Sequence, residues 1–382
     1  MSVVRYLSSA LAVLALGLVL ALPAAAYETA ASQAILIDAD TGTVLYEKNA
    51  DETTFPSSMT KLMTMYLVFA HLADGSLSLD DELPVSEKAW RMQGSKMFVE
   101  VGKSVRVEDL IRGVVVQSGN DATVVLAEGL AGSEEAFAVE MTETAHALGM
   151  TGSEFRNASG WPDPEHVTTA RDLAILAQRT IQDFPQYYHY YAEEVFVWNE
   201  IEQHNRNPLL YNTPGADGLK TGHTEAAGYG LTASAEREGR RLILVVNGLT
   251  STQERASEGQ RLMEYGFREF ETYDLFAAGE TVTDADVWLG KEDSVPLVLE
   301  GPLSLTMSRS ARQDMTVTVA YDGPVPAPIA AGQPIARLIV AAPEMKTVEL
   351  PLLAGRDVPE LSMFSRLGAA IGYLVFGAPA AP

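Results

Sequence analysis

The pattern of apolar residues changes character near Thr281, and this change constrains the fold more than any other feature of the chain. Before it, apolar residues recur at helical offsets in stretches interleaved with strand-like runs. After it, Val287–Leu289, Val295–Leu299, Leu303–Met307, Met315–Ala320 and Pro334–Val340 are short apolar or alternating segments separated by Gly, Pro and Asp. Short strands at such regular spacing predict a small all-β unit. The chain therefore reads as two folded units, α+β at residues 27–275 and β-rich at residues 281–352, joined near Glu271–Gly279. At 382 residues it is long enough for both.

In the first unit, Ala34–Ile37 and Val44–Glu47 flank the turn Asp38-Ala39-Asp40-Thr41-Gly42 and read as a hairpin. From Ser58 to about His71, Leu62, Met65, Tyr66 and Phe69 fall at helical spacing and predict a buried helix. Val107–Val116 and Asp121–Leu130 read as two helices interrupted at Ser118-Gly119-Asn120. A loop at Asp163–His166 precedes a helix carrying Asp172, Ile175 and Leu176. Leu219–Lys220 opens a strand, Tyr229–Ala235 and Leu242–Gly248 read as a hairpin, and Gln253–Phe267 reads as a helix.

The two ends suggest where the protein works. Met1–Ala26 has the build of an export signal: Arg5 at the start, an apolar run at Leu11–Leu22, Pro23, then Ala24-Ala25-Ala26 as a small-residue cleavage site. The mature chain would begin at Tyr27. At the other end, residues 359–376 carry Phe364, Leu367, Ile371 and Leu374 at helical offsets with Arg366 as the one charge of Leu361–Phe376. This stretch is too short to span a bilayer. It reads either as an amphipathic helix lying in a membrane interface or as a terminal helix docked on the β-rich unit.

Composition narrows the chemistry. With 51 acidic against 27 basic residues the net charge is −24, so the basic groove of a nucleic-acid binder has no source here. No cysteine is present, which removes disulfides, thiolate metal sites and thiol nucleophiles. No G-x-S-x-G elbow occurs, and the six scattered histidines form no H-E-x-x-H, so neither a metal nor a cofactor is implied. Three short patterns remain. Ser58 and Lys61, three residues apart at a helix start, share one face, with the helix terminus lending partial positive charge to an anion at Ser58. Taken alone, the pair also fits a capping serine followed by a solvated lysine. Ser118-Gly119-Asn120 presents a hydroxyl and an amide together, or simply a polar turn. Lys220-Thr221-Gly222 reads as a cationic strand or as a protected sheet edge. Each pattern occurs once, in this order, 60 and then 102 residues apart, a spacing that lets one domain bring three walls of a cleft together.

This motif set resembles that of the penicillin-recognising serine enzymes. The stretches Phe55–Thr64, Val116–Ala122 and Asp217–Thr224 are closer still to the low-molecular-mass penicillin-binding proteins that are serine-type D-alanyl-D-alanine carboxypeptidases. Gly94–Phe98, His204–Asn207 and Arg255 with Glu258 are similar to the same family. The resemblance implies a β-lactamase-like transpeptidase domain, an antiparallel sheet flanked by helices, then a small all-β domain and a terminal amphipathic helix on the outer face of the inner membrane. It implies Ser58 as nucleophile towards a peptidoglycan stem pentapeptide, with β-lactams as covalent inhibitors. Lys61 would be the base, Ser118 a proton relay and Asn120 a holder of the substrate amide. Lys220, Thr221 and Thr224 would take the terminal carboxylate, supported by Arg206 and Arg255. Gly222 completes that motif, and the His223 backbone N–H joins the Ser58 N–H in an oxyanion hole. Endopeptidase, β-lactamase (through Glu165) and idle wall-binding readings share these residues. Efficient acylation by penicillin and slow release are expected.

Overall fold

The computed structural model describes residues 27–362. The expected export signal (residues 1–26) and residues 363–376 of the expected tail helix lie outside the described residues. The first unit is built on a five-stranded antiparallel sheet of β1 (Gln33–Asp38), β2 (Val44–Lys48), β3 (Ala216–Thr224), β4 (Gly228–Arg237) and β5 (Arg240–Leu249), in the spatial order β2-β1-β5-β4-β3. The side chains of β1 and β5 alternate between two cores. Ile35, Ile37, Ile243 and Val245 enter one, and Ala34, Leu36, Leu242, Leu244 and Val246 enter the other. Successive strand residues point to opposite faces, so a run that is apolar throughout marks a sheet covered on both sides.

The larger core lies under α1 (Lys61–Asp74), α2 (Val107–Val115), α3 (Asn120–Ala131), α4 (Glu134–Ala147) and α5 (Ala170–Asp183). The smaller one is closed by Leu262 and Met263 of α6 (Thr252–Glu269). Ser133, Thr169 and Ser251 cap α4, α5 and α6, each side chain accepting the N–H three residues on. Every residue from Lys61 to Phe69 is buried, so α1 is the central helix of its layer rather than an amphipathic surface one. The fold is the α+β class expected, an antiparallel sheet between helical layers.

The second unit holds β6 (Phe270–Phe276), β7 (Thr281–Trp288), β8 (Ser294–Val298), β9 (Leu303–Ser308), β10 (Thr316–Ala320), β11 (Val325–Pro326), β12 (Pro334–Ala341) and β13 (Val348–Ala354). Six of them form one sheet in the order β10-β12-β13-β8-β7-β11, while β6 and β9 pair as a separate antiparallel ribbon. Two sequence readings change here. Glu271–Phe276, read as the joint, is strand, because it continues α6 straight into pairing with β9. The unit also runs past residue 352: Val358 pairs with Ile329 and Glu360 with Gly290, so residues 359–362 are not helical.

The two units meet at the tip of the first hairpin. Asp38, fully buried, accepts the Arg240 Nε–H at 3.0 Å and the Thr41 N–H and Oγ1–H at 3.0 Å each. The Thr272 hydroxyl donates to it from β6 at 3.2 Å. Arg240 Nη1 donates to the Phe270 carbonyl at 2.6 Å. Burial alone would raise the Asp38 pKa, but the hydrogen bonds from Thr41 and Arg240 outweigh it and hold the carboxyl below the usual range. A depressed carboxyl stabilises the fold above its unfolded pKa and loses that contribution as pH falls through the folded value. Asp38→Ala is therefore expected to cost about 3 kcal/mol at neutral pH, because Arg240 loses its buried partner. The loss should shrink as both proteins are acidified below about pH 4, as checked by urea unfolding across pH.

Candidate active site

The site forms where a 3₁₀ turn, Ser57–Thr60, leads into α1 and lies against β3, the edge strand of the sheet. Ser58 sits in this turn, partly exposed, and Lys61 begins the helix. The Lys61 amine is completely buried, unlike the solvated lysine that the pair alone also allowed. It donates to Ser58 Oγ at 3.1 Å, to Asn120 Oδ1 at 2.8 Å and to the Ser159 carbonyl at 2.6 Å. Three acceptors fill the donor capacity of an ammonium, so the head group is fixed. Burial, reinforced by the Arg206 charge and opposed by Asp121 and Glu134, lowers its pKa to about 7.

Ser118 lies between α2 and α3, and Asn120 is the first residue of α3. Ser118 has φ of +60°, a left-handed backbone that is strained for a residue with a Cβ. Its hydroxyl is buried and has no hydrogen-bond partner. Asn120 Nδ2 donates to the Gln93 carbonyl at 2.7 Å, which orients its Oδ1 towards Lys61. Asp121 anchors the wall behind: fully buried, it accepts the N–H groups of Met97, Phe98 and Val99 at 2.7, 2.7 and 3.1 Å.

Across the cleft Lys220 stands mid-strand in β3, buried rather than on a solvent-facing edge, and its Nζ reaches the Thr221 carbonyl at 3.3 Å. Burial, then Lys61, Arg206 and Arg255, push its pKa well below the ordinary lysine value. Arg206 is at the exposed rim, donating to Ser95 Oγ at 2.6 Å. Arg255 is buried, and its guanidinium lies 5.8 Å from the centre of the Tyr229 ring. It does not pair with Glu258, which instead binds Arg261 and the Thr29 hydroxyl. Lys61, Lys220, Arg206 and Arg255 thus converge inside a strongly acidic protein, a field that suits a carboxylate. Thr221 is buried beside them. Thr224, by contrast, turns away to Ser57 Oγ at 3.2 Å, and His223 is exposed with its ring stacked on Tyr229 at 3.9 Å.

Two glycines let the walls approach. A Cβ on Gly222 would lie 3.0 Å from the Pro56 carbonyl oxygen, and one on Gly160 only 1.8 Å from that of Ser57. Gly160 belongs to a loop that the sequence reading treats merely as the carrier of Glu165. Asn157 Oδ1 gathers the N–H groups of Ser159, Gly160 and Trp161 at 3.2, 2.8 and 2.9 Å, and so aims the Ser159 carbonyl at Lys61. Asn-x-x-Gly was the available signal for this turn. Glu165 itself is about three-quarters exposed and paired with Arg156. His166 is buried between Thr60 Oγ1 (2.8 Å) and the Arg156 N–H (3.1 Å), and burial lowers its pKa to about 4. No group of His, Asp or Glu among the described residues is arranged to hold a metal.

A serine hydroxyl on a buried amine, with a second hydroxyl and a nest of cations opposite, is the arrangement of a serine–lysine acyl-transfer site. Comparison with known proteins is specific. Residues 21–251 match the D-alanyl-D-alanine carboxypeptidase family, and residues 270–360 match the C-terminal domain of penicillin-binding protein 5. D-alanyl-D-alanine carboxypeptidase DacA of Escherichia coli is 36% identical over 342 residues, 87% of this chain and 85% of that one. Penicillin-binding protein 5 of Haemophilus influenzae superposes with a TM-score of 0.77 at 35% identity, covering 87% of this chain and 99% of that one. Penicillin-binding protein D2 of Listeria monocytogenes, in its ampicillin-bound form, matches with a TM-score of 0.58 at 31% identity, over 63% of this chain and 98% of that one. The chain belongs to the D-alanyl-D-alanine carboxypeptidase family.

Gly160→Ala is expected to push the loop off Ser57 and move the Ser159 carbonyl from Lys61. A displacement of about 1 Å would slow reaction with a fluorescent penicillin roughly 100-fold, measured by gel fluorescence against time.

Proposed function

We propose that this protein is a serine D-alanyl-D-alanine carboxypeptidase that removes the last D-alanine from peptidoglycan stem pentapeptides and is acylated by penicillins at the same serine. The observation that carries the reading is the buried amine of Lys61 held on Ser58 Oγ, with a pKa near neutrality. Neutral Lys61 accepts the Ser58 proton as Oγ attacks the carbonyl of the penultimate D-alanine. The backbone N–H groups of Ser58 and His223 take the oxyanion, a contribution of about 3–4 kcal/mol in sites of this type. As the C–N bond breaks, the proton passes through Ser118, whose hydroxyl is otherwise unpartnered, to the leaving amine. Asn120 holds the substrate amide, Thr221 and Lys220 hold the terminal carboxylate, and Arg206 and Arg255 supply its field. Water then cleaves the acyl ester. Glu165, exposed and bound to Arg156, is poorly placed to activate that water, which favours slow release of penicillin over β-lactamase turnover.

We further propose that the enzyme works outside the cytoplasm, at the periplasmic face of the inner membrane. The Arg5, apolar-run and Ala-x-Ala features of residues 1–26 support export. The amphipathic spacing of the tail supports interfacial attachment there, and no described helix is long and apolar enough to cross a membrane.

Intact-mass analysis with benzylpenicillin should give a lasting adduct on the wild type and none on Ser58→Ala, with D-alanine released from a D-Ala-D-Ala pentapeptide by the wild type alone. An adduct without D-alanine release would sink the carboxypeptidase reading. The acylation rate should also rise with pH through about 7 and then level, because the protonated amine cannot serve as base. A profile flat from about pH 5 to about pH 9 would remove Lys61 from that role.

A further inference from the structure

The turn that carries the nucleophile is not held by its own helix. Ser57 has φ of +50°, a left-handed conformation that a residue with a Cβ keeps only where its surroundings impose it. Neither the 3₁₀ turn nor α1 after it has a side-chain cap at its start. Two contacts from distant parts of the chain fix the turn instead, one on either side of Ser58. Ser57 Oγ meets Thr224 Oγ1 at 3.2 Å, and Thr60 Oγ1 meets His166 Nε2 at 2.8 Å. A Cβ on Gly160 would lie 2.9 Å from that Thr60 oxygen, so the hydroxyl sits where turn and loop touch.

The part played by the imidazole follows from its partners. A backbone N–H can only donate, so the Arg156 N–H, 3.1 Å from Nδ1, makes Nδ1 the acceptor. The neutral ring then carries its proton on Nε2 and donates it to Thr60 Oγ1. Burial keeps the ring neutral, helped by the Arg156 and Lys61 charges and opposed by Asp163. Phe155 packs edge-on to it, with ring centres 5.5 Å apart, and fixes its plane. Arg156 and His166 stand at the neck of the loop that delivers the Ser159 carbonyl to Lys61. Glu154 and Val167 close that neck with reciprocal backbone hydrogen bonds of 2.9 and 3.0 Å, and the imidazole adds the next cross-link. One ring therefore ties the loop to itself and to the nucleophile's turn.

We propose that His166 is a positioning residue for acyl transfer: by donating to Thr60 it holds the strained turn so that Ser58 Oγ stays on the Lys61 amine. It acts through Thr60 and not on the reacting atoms. This role rests on the reading above of Ser58 as the nucleophile and adds a residue to its support.

The test is a double-mutant cycle, read as the rate constant of benzylpenicillin adduct formation by intact mass against time. His166→Phe keeps a flat buried ring without its nitrogens, and Thr60→Val keeps the side chain's shape without its hydroxyl. Each should slow acylation roughly tenfold, the scale of one lost hydrogen bond. The double variant should be no slower than His166→Phe alone, and Thr60→Ser, which keeps the hydroxyl, should retain most of the rate. A merely structural role would lower the final yield of adduct, through the fraction folded, and leave the rate constant of the folded protein unchanged. An unchanged rate constant in either single variant, or losses that add in the double variant, overturn the proposal. If His166→Phe does not fold, Thr60→Val against Thr60→Ser decides, and equal rates overturn it. If the wild type forms no adduct, the reading of Ser58 as nucleophile fails instead.

Discussion

One buried nitrogen organises the first unit. Lys61 Nζ takes acceptors from three separate parts of the chain: the turn before α1, the junction of α2 and α3, and the loop at Ser159. An ammonium taken out of water is costly unless every proton finds a partner, so each segment is constrained to deliver its oxygen. The left-handed backbone at Ser118, the Asn157 turn and the missing Cβ at Gly160 all serve that convergence. The same burial that demands three acceptors also lowers the pKa, so packing and chemical competence have a single cause.

The electrostatics of the cleft run against those of the whole molecule. The chain carries 51 acidic residues, yet its deepest charged groups at the cleft include Lys61, Lys220 and Arg255. Asp121 offsets this within the wall, but its own charge is spent on four backbone N–H groups, those of Met97, Phe98, Val99 and Ala122. What remains is a local positive field in a low-dielectric wall, stronger on a carboxylate than the same charges would be in water.

The β-rich unit is not hung on a linker. Strand β6 leaves α6 directly and pairs with β9, and the Thr272 and Thr306 hydroxyls, 2.8 Å apart, join the Asp38–Arg240 pair at the hairpin tip. Asp38 and Arg240 both belong to the first unit, and β6 reaches them through the Thr272 hydroxyl and the Phe270 carbonyl.

How much of this was legible beforehand depends on the range of each interaction. Helical spacing at Leu62, Met65, Tyr66 and Phe69 identified α1, and unbroken apolar runs at Ala34–Ile37 and Leu242–Val246 signalled the central strands, because burial imposes those periods locally. The ordered motifs at Ser58, Ser118 and Lys220 named the walls of the cleft. Sequence could not show that Lys61 is dry, that Thr224 turns to Ser57, that Arg255 and Glu258 part company, or that Leu303–Met307 pairs outside the main β-sheet. Nor did it single out Asn157, Ser159 or Asp121, whose work is done through backbone groups far away in the chain. Sequence by itself determined which residues are available and which local period each segment follows. The tertiary structure alone decided which of them lose water together, and that shared desolvation turns a serine and a lysine three residues apart into a reactive pair.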